Sequence, residues 1–226
     1  MFKAVLFDLD GTLINTLYSL NDTINAVMDH YGFEKITMDE TKKFIGYGYK
    51  VFVEKSVNKT AKLRNDSSIL NNLKEYQTKY KELFKINCCN NLVIYDGILD
   101  TINKLKKDNV YIVCVTNKPY TDTLNVLDKA FGLNTFDYII GDDGIKPLKP
   151  NPILLDEICK HLNIKPNECI HIGDSKTDIE FANNSKIKSI GCAYGFRDKD
   201  ELKKYNATYI VDSARKLYEK IKEASI

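Results

Sequence analysis

Two aspartates one residue apart, Asp8 and Asp10, close the apolar run Val5-Leu6-Phe7, and Gly11 and Thr12 follow directly. A run of this kind reads as a buried strand of a parallel sheet, whose carboxyl end opens onto the ligand crevice. Unpartnered carboxylates at a buried edge are costly, so the pair calls for a cation, a substrate or both. Gly11 lets the chain turn where a side chain would clash. By itself the segment is also compatible with a turn whose acids cap a helix or face water.

Other strand ends supply the remaining groups of a phosphate site. Residues 110–115 form an apolar, β-rich run, and Thr116-Asn117-Lys118-Pro119 follows. A Thr hydroxyl with successive backbone N–H groups at a strand-to-helix turn can cradle phosphate oxygens; the plainer alternative is an ordinary helix cap by Thr116 or Asn117. Lys149 lies in Lys149-Pro150-Asn151-Pro152, where two prolines stiffen the loop. A lysine held this way can pair with a nucleophile and a phosphate, whereas Lys146, before Pro147, reads as a solvated loop lysine. Ile172-Gly173-Asp174 repeats the pattern of apolar strand, glycine and acid, with Asp178 four residues on. If Asp174 faces the edge that carries Asp8, the carboxylates surround a hard divalent cation, and such open, oxygen-rich coordination suits Mg²⁺. Asp178, in the first turn of the next helix, either orients a metal-bound water or simply favours a helix amino terminus.

The elements that must hold these groups follow from periodicity. After Leu13, apolar residues at 17, 20, 24, 27, 28 and 31 recur at helical spacing, and further helices are expected over residues 38–44, 50–57 and 68–83. Strand–helix alternation resumes at Tyr95-Asp96-Gly97, with helices over residues 98–106, 122–131, 152–162 and 178–183 and strands near 110–115, 138–140, 169–172, 187–191 and 209–211. The expected fold is α/β: a doubly wound parallel sheet (residues 1–14 and 91–226) with an inserted all-helical cap domain (residues 15–90). A cap placed over the carboxyl edge would shed water and select what enters.

Taken in order, Asp8-x-Asp10-x-Thr12, Thr116, Lys149 and Gly173-Asp174-x-x-x-Asp178 resemble the four motifs of the haloacid dehalogenase-like phosphohydrolases, and the match spans the whole α/β core. The resemblance implies that Asp8 attacks phosphorus to form an aspartyl phosphate, and that Asp10 protonates the leaving oxygen and later takes a proton from water. It implies Mg²⁺ held by Asp8, the Asp10 backbone carbonyl and Asp174, with Thr116, Asn117 and Lys149 clamping the phosphoryl group.

Thr116-Asn117-Lys118-Pro119 is similar to the second motif of phosphoglycolate phosphatases. Gly46-Tyr47-Gly48, within Lys43-Phe44-Ile45-Gly46-Tyr47-Gly48, looks like their substrate loop, with a plain turn as the alternative. Relatives usually carry Asp-Ser where this chain has Asn15-Thr16, and many have a proline shortly before Gly97 that is absent here. The expectation is a phosphatase acting on a small phosphorylated metabolite, phosphoglycolate foremost. An inorganic pyrophosphatase, a nucleotidase or a broad sugar-phosphate phosphatase shares the same core. A phosphosugar mutase, or a module that binds without turnover, belongs to a different class.

Composition narrows the partners. The 226 residues are 43% hydrophobic and 28% charged with a formal net charge of +2, which gives no basis for expecting nucleic acid as a partner. No apolar run is long enough to span a bilayer, and Asp8 interrupts the amino-terminal one. Six cysteines without a CxxC pair suit a reducing cytoplasm. Either a monomer or a homodimer is compatible with the sequence. The three histidines, at 30, 161 and 171, read as structural or surface residues.

Overall fold

The computed structural model describes residues 2–225. In chain order the elements are β1 (Ala4–Phe7), β2 (Ile14–Asn15), α1 (Leu17–His30), α2 (Met38–Phe44), α3 (Tyr49–Leu63), α4 (Leu73–Asn87), β3 (Val93–Ile94), α5 (Ile98–Lys107) and β4 (Tyr111–Pro119). They continue with α6 (Tyr120–Phe131), β5 (Tyr138–Asp142), α7 (Ile153–Leu162), β6 (Cys169–Gly173), α8 (Lys176–Asn184), β7 (Lys188–Cys192), α9 (Lys199–Lys204), β8 (Tyr209–Val211) and α10 (Leu217–Ala224). The chain divides into two compact units, Met1–Asn15 with Val93–Ile226, and Thr16–Leu92.

The first unit is built on a six-stranded sheet in the order β5-β4-β1-β6-β7-β8, every pair parallel. β1 lies centrally because its four residues, Ala-Val-Leu-Phe, are all buried and can be covered on both faces. It pairs with β4 on one side and β6 on the other, Leu6 opposite Val113 and His171, Phe7 opposite Cys114 and Ile172. From β1 the chain builds outward through β4 and β5, then crosses back to β6. The order therefore reverses at β1, and the carboxyl ends of strands at such a switch point flank a crevice. One face of the sheet packs Leu6, Val113, Val115 and Ile140 against Ile158 of α7 and Phe181 of α8. A short antiparallel pair, β2 with β3, carries the chain out at Asn15 and back in at Val93.

β4 departs from the sequence expectation. It runs on to Pro119, with its pairing to β5 shifting between Val115 and Pro119 before Pro119 meets Asp142. An irregularity of this kind bends a strand and re-aims side chains. Here it takes in Thr116, Asn117 and Lys118.

In the helical unit, α1 buries Leu17, Leu20, Ile24, Val27 and Met28 of the stripe read from the sequence, while Tyr31, its last member, lies one residue beyond the helix and is only half-buried. Asn21 on α1 donates from Nδ2 to the Ile36 carbonyl at 2.9 Å and to Thr41 Oγ1 on α2 at 2.8 Å. Helix α3 is longer than residues 50–57 because its buried face continues past Val57 through Thr60 and Ala61, the first a polar residue and the second too small to mark an apolar stripe. Residues 68–83 divide into a 3-10 turn, Ser67–Asn72, and α4, whose buried stripe is Tyr76, Tyr80 and Phe84. Among the described residues no helix is long and apolar enough to cross a membrane. All six cysteines are free thiols.

Candidate active site

Asp8 is the first residue beyond β1, and its backbone N–H donates to the Ile172 carbonyl of β6 at 2.9 Å. That bond carries the parallel pairing one residue further and fixes the carboxyl group between the ends of β4 and β6. Asp8 is buried, and its Oδ1 lies 2.9 Å from Lys149 Nζ. Lys149 Nζ also donates to Asp178 Oδ1 and to the Val115 carbonyl, each at 2.6 Å. Its side chain is 1% exposed. Lys146, by contrast, is 46% exposed and pairs with Glu157 at the surface. Of the two candidate lysines, Lys149 is the one that reaches the aspartates.

Asp178 is fully enclosed and its oxygens are fully used. Oδ1 accepts from Lys149 and lies 2.9 Å from His171 Nε2, while Oδ2 accepts from the Ser175 N–H at 3.0 Å and the Ser175 hydroxyl at 2.5 Å. Four such contacts match the lone-pair sites of a carboxylate. Asp178 is thereby committed to holding Lys149 and the turn into α8. His171, read from the sequence as structural, is buried beside Phe181 and braces Asp178. Nothing in the spacing marks that contact, which exists only because β6 and α8 fold back on each other.

The charges bear on one another strongly. Burial would raise the Asp178 carboxyl, but Lys149 and His171 outweigh it and hold the group well below the usual carboxylate range. Burial, then the Asp178 charge, pushes Asp8 up to about 7 against the opposing pull of Lys149. Burial also pushes Asp174 well up, with Asp178 and Asp8 adding to it. Burial depresses His171, which favours the neutral ring.

A pH signature follows. A carboxyl raised on folding retains a proton that the unfolded chain loses above about pH 4, so its contribution to stability is lost as pH rises toward 7. His171 acts in the opposite sense over part of this range but is common to wild type and Asp8→Asn. In EDTA, the melting temperature of wild type relative to Asp8→Asn is expected to fall steadily from pH 4 to pH 7. A flat difference in thermal melts would show that Asp8 is not raised.

The bulged stretch of β4 divides its tasks. Thr116 and Asn117 are buried. The Asn117 side chain clasps the Lys149 backbone, Nδ2 donating to its carbonyl at 3.0 Å and Oδ1 accepting its N–H at 2.8 Å. Asn117, expected to bind phosphate, thus uses its side chain to position the loop that carries Lys149. Lys118 extends to Asp10, with Nζ 3.0 Å from each carboxylate oxygen. The sequence displays Lys118 in the motif without giving it a task; a charged residue on an otherwise buried strand end was the available signal.

Asp174 lies just beyond β6, and its Oδ2 accepts the Phe196 N–H at 2.6 Å. Gly11 has φ +84°, and a Cβ there would fall 2.3 Å from Asp174 Oδ2, so only glycine brings the turn after Asp10 this close. Asp8, Asp174 and Asp178 each offer an oxygen within 4.8 Å of the others, all buried. Burial and mutual repulsion disfavour charge on Asp8 and Asp174, as expected of a place shaped for a cation. The all-oxygen donor set fits a hard divalent metal.

Gly46, Tyr47 and Gly48 belong to the helical unit. Gly46 and Gly48 have φ +108° and +83°, values that need glycine, and Gly48 caps the amino terminus of α3. Tyr47 is partly exposed and lies beneath Lys55 Nζ, 4.7 Å from the ring centre.

Comparison with known proteins places this geometry in a lineage. The family model for haloacid dehalogenase-like hydrolases matches residues 5–192. A phosphoglycolate phosphatase of Pasteurella multocida (strain Pm70) is 30% identical over 200 residues, covering 86% of this chain and 87% of that protein. Another, from Haemophilus influenzae (strain 86-028NP), is 27% identical over 217 residues and 96% of both chains. The crystal structure of a provisionally named phosphoglycolate phosphatase from Lactobacillus delbrueckii subsp. bulgaricus superposes with a TM-score of 0.87 at 29% identity, covering 97% of this chain and 98% of that one. The chain belongs to the haloacid dehalogenase-like hydrolases and is a phosphatase of their phosphoglycolate phosphatase-like branch.

Proposed function

We propose that this phosphatase hydrolyses a small phosphomonoester, phosphoglycolate foremost, in two displacements through Asp8. The observation that carries the reading is the buried Asp8–Lys149 pair at the carboxyl end of β1, with Asp10 on the turn beside it. Asp8 attacks phosphorus; the new P–O bond forms as the bond to the leaving oxygen breaks, and Asp10 hands that oxygen a proton. Water then attacks the same phosphorus, Asp10 takes a proton from it, and the acyl phosphate P–O bond breaks to return the Asp8 carboxylate.

Lys149 balances the charge of Asp8 and the incoming phosphoryl group, while Asp178, braced by His171 and Ser175, fixes the direction of its ammonium. Thr116 offers its hydroxyl to the phosphoryl oxygens from the end of β4. Asp8, Asp174 and the Asp10 carbonyl would hold Mg²⁺, which supplies positive charge to the phosphoryl oxygens as the bond to phosphorus changes. Asp178, its oxygens engaged, acts on that centre through Lys149 rather than as a ligand.

The names of the Pasteurella and Haemophilus relatives support phosphoglycolate as the substrate. The test is phosphate release with Mg²⁺ from 2-phosphoglycolate, pyrophosphate, nucleoside monophosphates and sugar phosphates. The highest kcat/KM is expected for phosphoglycolate. Broad or pyrophosphate-centred release would keep the mechanism and discard that substrate. Silence on all of them would discard the hydrolase reading.

A further inference from the structure

Lys118 has no task toward the substrate in the chemistry above, yet it is among the most enclosed cations of the site. Its side chain is 3% exposed, and its ammonium is shared between the two oxygens of Asp10, itself 21% exposed. The bulge in β4 aims it there, with the Lys118 N–H donating to Thr116 Oγ1 at 3.3 Å. Lys149, also buried, is already engaged by Asp8, Asp178 and the Val115 carbonyl.

The inference rests on the reading of Asp10 as proton donor. A proton passes over hydrogen-bond distance, so the leaving oxygen must come within about 3 Å of the Asp10 carboxyl. Lys118 Nζ then lies within about 6 Å of that oxygen, the reach of a substituent two or three bonds long. An ammonium in such enclosed surroundings attracts an anion more strongly than one in water. We propose that Lys118 binds a second anionic group on the leaving side of the substrate, a carboxylate or a second phosphoryl group. The site thereby selects small phosphates that carry one over neutral alkyl phosphates. Lys118 is then a specificity-determining residue, and the Asp10–Lys118 pair is the form it takes without substrate.

The experiment compares 2-phosphoglycolate, pyrophosphate and ethyl phosphate on wild type, Lys118→Gln, Lys118→Met and Lys118→Arg, with circular dichroism to identify folded variants. Phosphoglycolate and ethyl phosphate both release an alcohol protonated by Asp10, so any effect passed through Asp10 falls on both and cancels in the ratio of their kcat/KM values. That ratio is expected to fall about 10- to 100-fold in Lys118→Gln and Lys118→Met and to survive in Lys118→Arg. Dissociation constants on an Asp8→Asn background, where turnover plays no part, separate the two sources. A selective loss for phosphoglycolate over ethyl phosphate marks a carboxylate, and a selective loss for pyrophosphate marks a phosphoryl group. Unchanged selectivity in an active enzyme would overturn this proposal alone, leaving Lys118 as a positioning residue for Asp10. A wild type that hydrolyses none of the three but releases phosphate from nucleoside monophosphates or sugar phosphates would overturn this proposal and keep the mechanism; one that releases phosphate from none of these substrates would overturn both.

Discussion

Asp8→Asn is expected to lower Mg²⁺-dependent phosphate release by at least about 10⁴-fold while leaving the fold intact. The amide is nearly the size of the carboxylate but lacks the anionic oxygen that must bond to phosphorus. The surrounding structure has little reason to move. The N–H of residue 8 keeps its bond to the Ile172 carbonyl, and Lys149 keeps Asp178 and the Val115 carbonyl at 2.6 Å. A phosphate-release assay beside far-ultraviolet circular dichroism separates the two parts of the expectation. Wild-type turnover by a folded Asp8→Asn protein would sink the nucleophile assignment and the mechanism with it.

Lys149→Met should cost the protein both activity and stability. Its ammonium is the charge between Asp8 and Asp178, and methionine replaces most of the alkyl stem without the charge. Two carboxylates would then face each other in buried surroundings, where breaking an ion pair costs about 3–5 kcal/mol. Opposing forces already meet at Lys149: burial would lower its pKa, but Asp178 and Asp8 raise it well above the usual lysine value. Urea denaturation in EDTA measures the loss, with Lys146→Met as the comparison. Lys146 pairs with Glu157 at the surface and should cost less than about 1 kcal/mol. Similar losses for the two variants would show that the charge network does not hold the site together.

The two expectations differ because one change removes a reacting atom and the other a balancing charge. Asp8 can be neutralised cheaply, since burial already disfavours its charge. Lys149 cannot, because Asp178 depends on it.

Much of this arrangement was legible in the chain. The run Val5-Leu6-Phe7 could be read as a central strand because a strand covered on both faces must be apolar throughout. The acids after it were legible for the converse reason, that charge at a buried edge requires a purpose. Lys149 stood apart from Lys146 through its flanking prolines. Less was legible where small residues bury themselves: beyond Val57 the buried face of α3 is carried by Thr60 and Ala61, which a count of large apolar positions passes over. Val115 looked like the end of its strand, since a shift in pairing with β5 leaves no mark in β4 itself.

Hydrophobic periodicity and the cost of buried charge are local properties, so the parallel α/β class, the apolar strands and the types of group at their ends can be read along the chain. Which of those groups meet is a matter of the fold. Asn117 serves Lys149 rather than reaching for phosphate with its side chain, Lys118 belongs to Asp10, and His171 braces Asp178. These partners are separated by as many as 108 residues, and their distances come from strand register and one bulge rather than from spacing along the chain. Register is a joint property of two strands, so neither strand's residues state it alone.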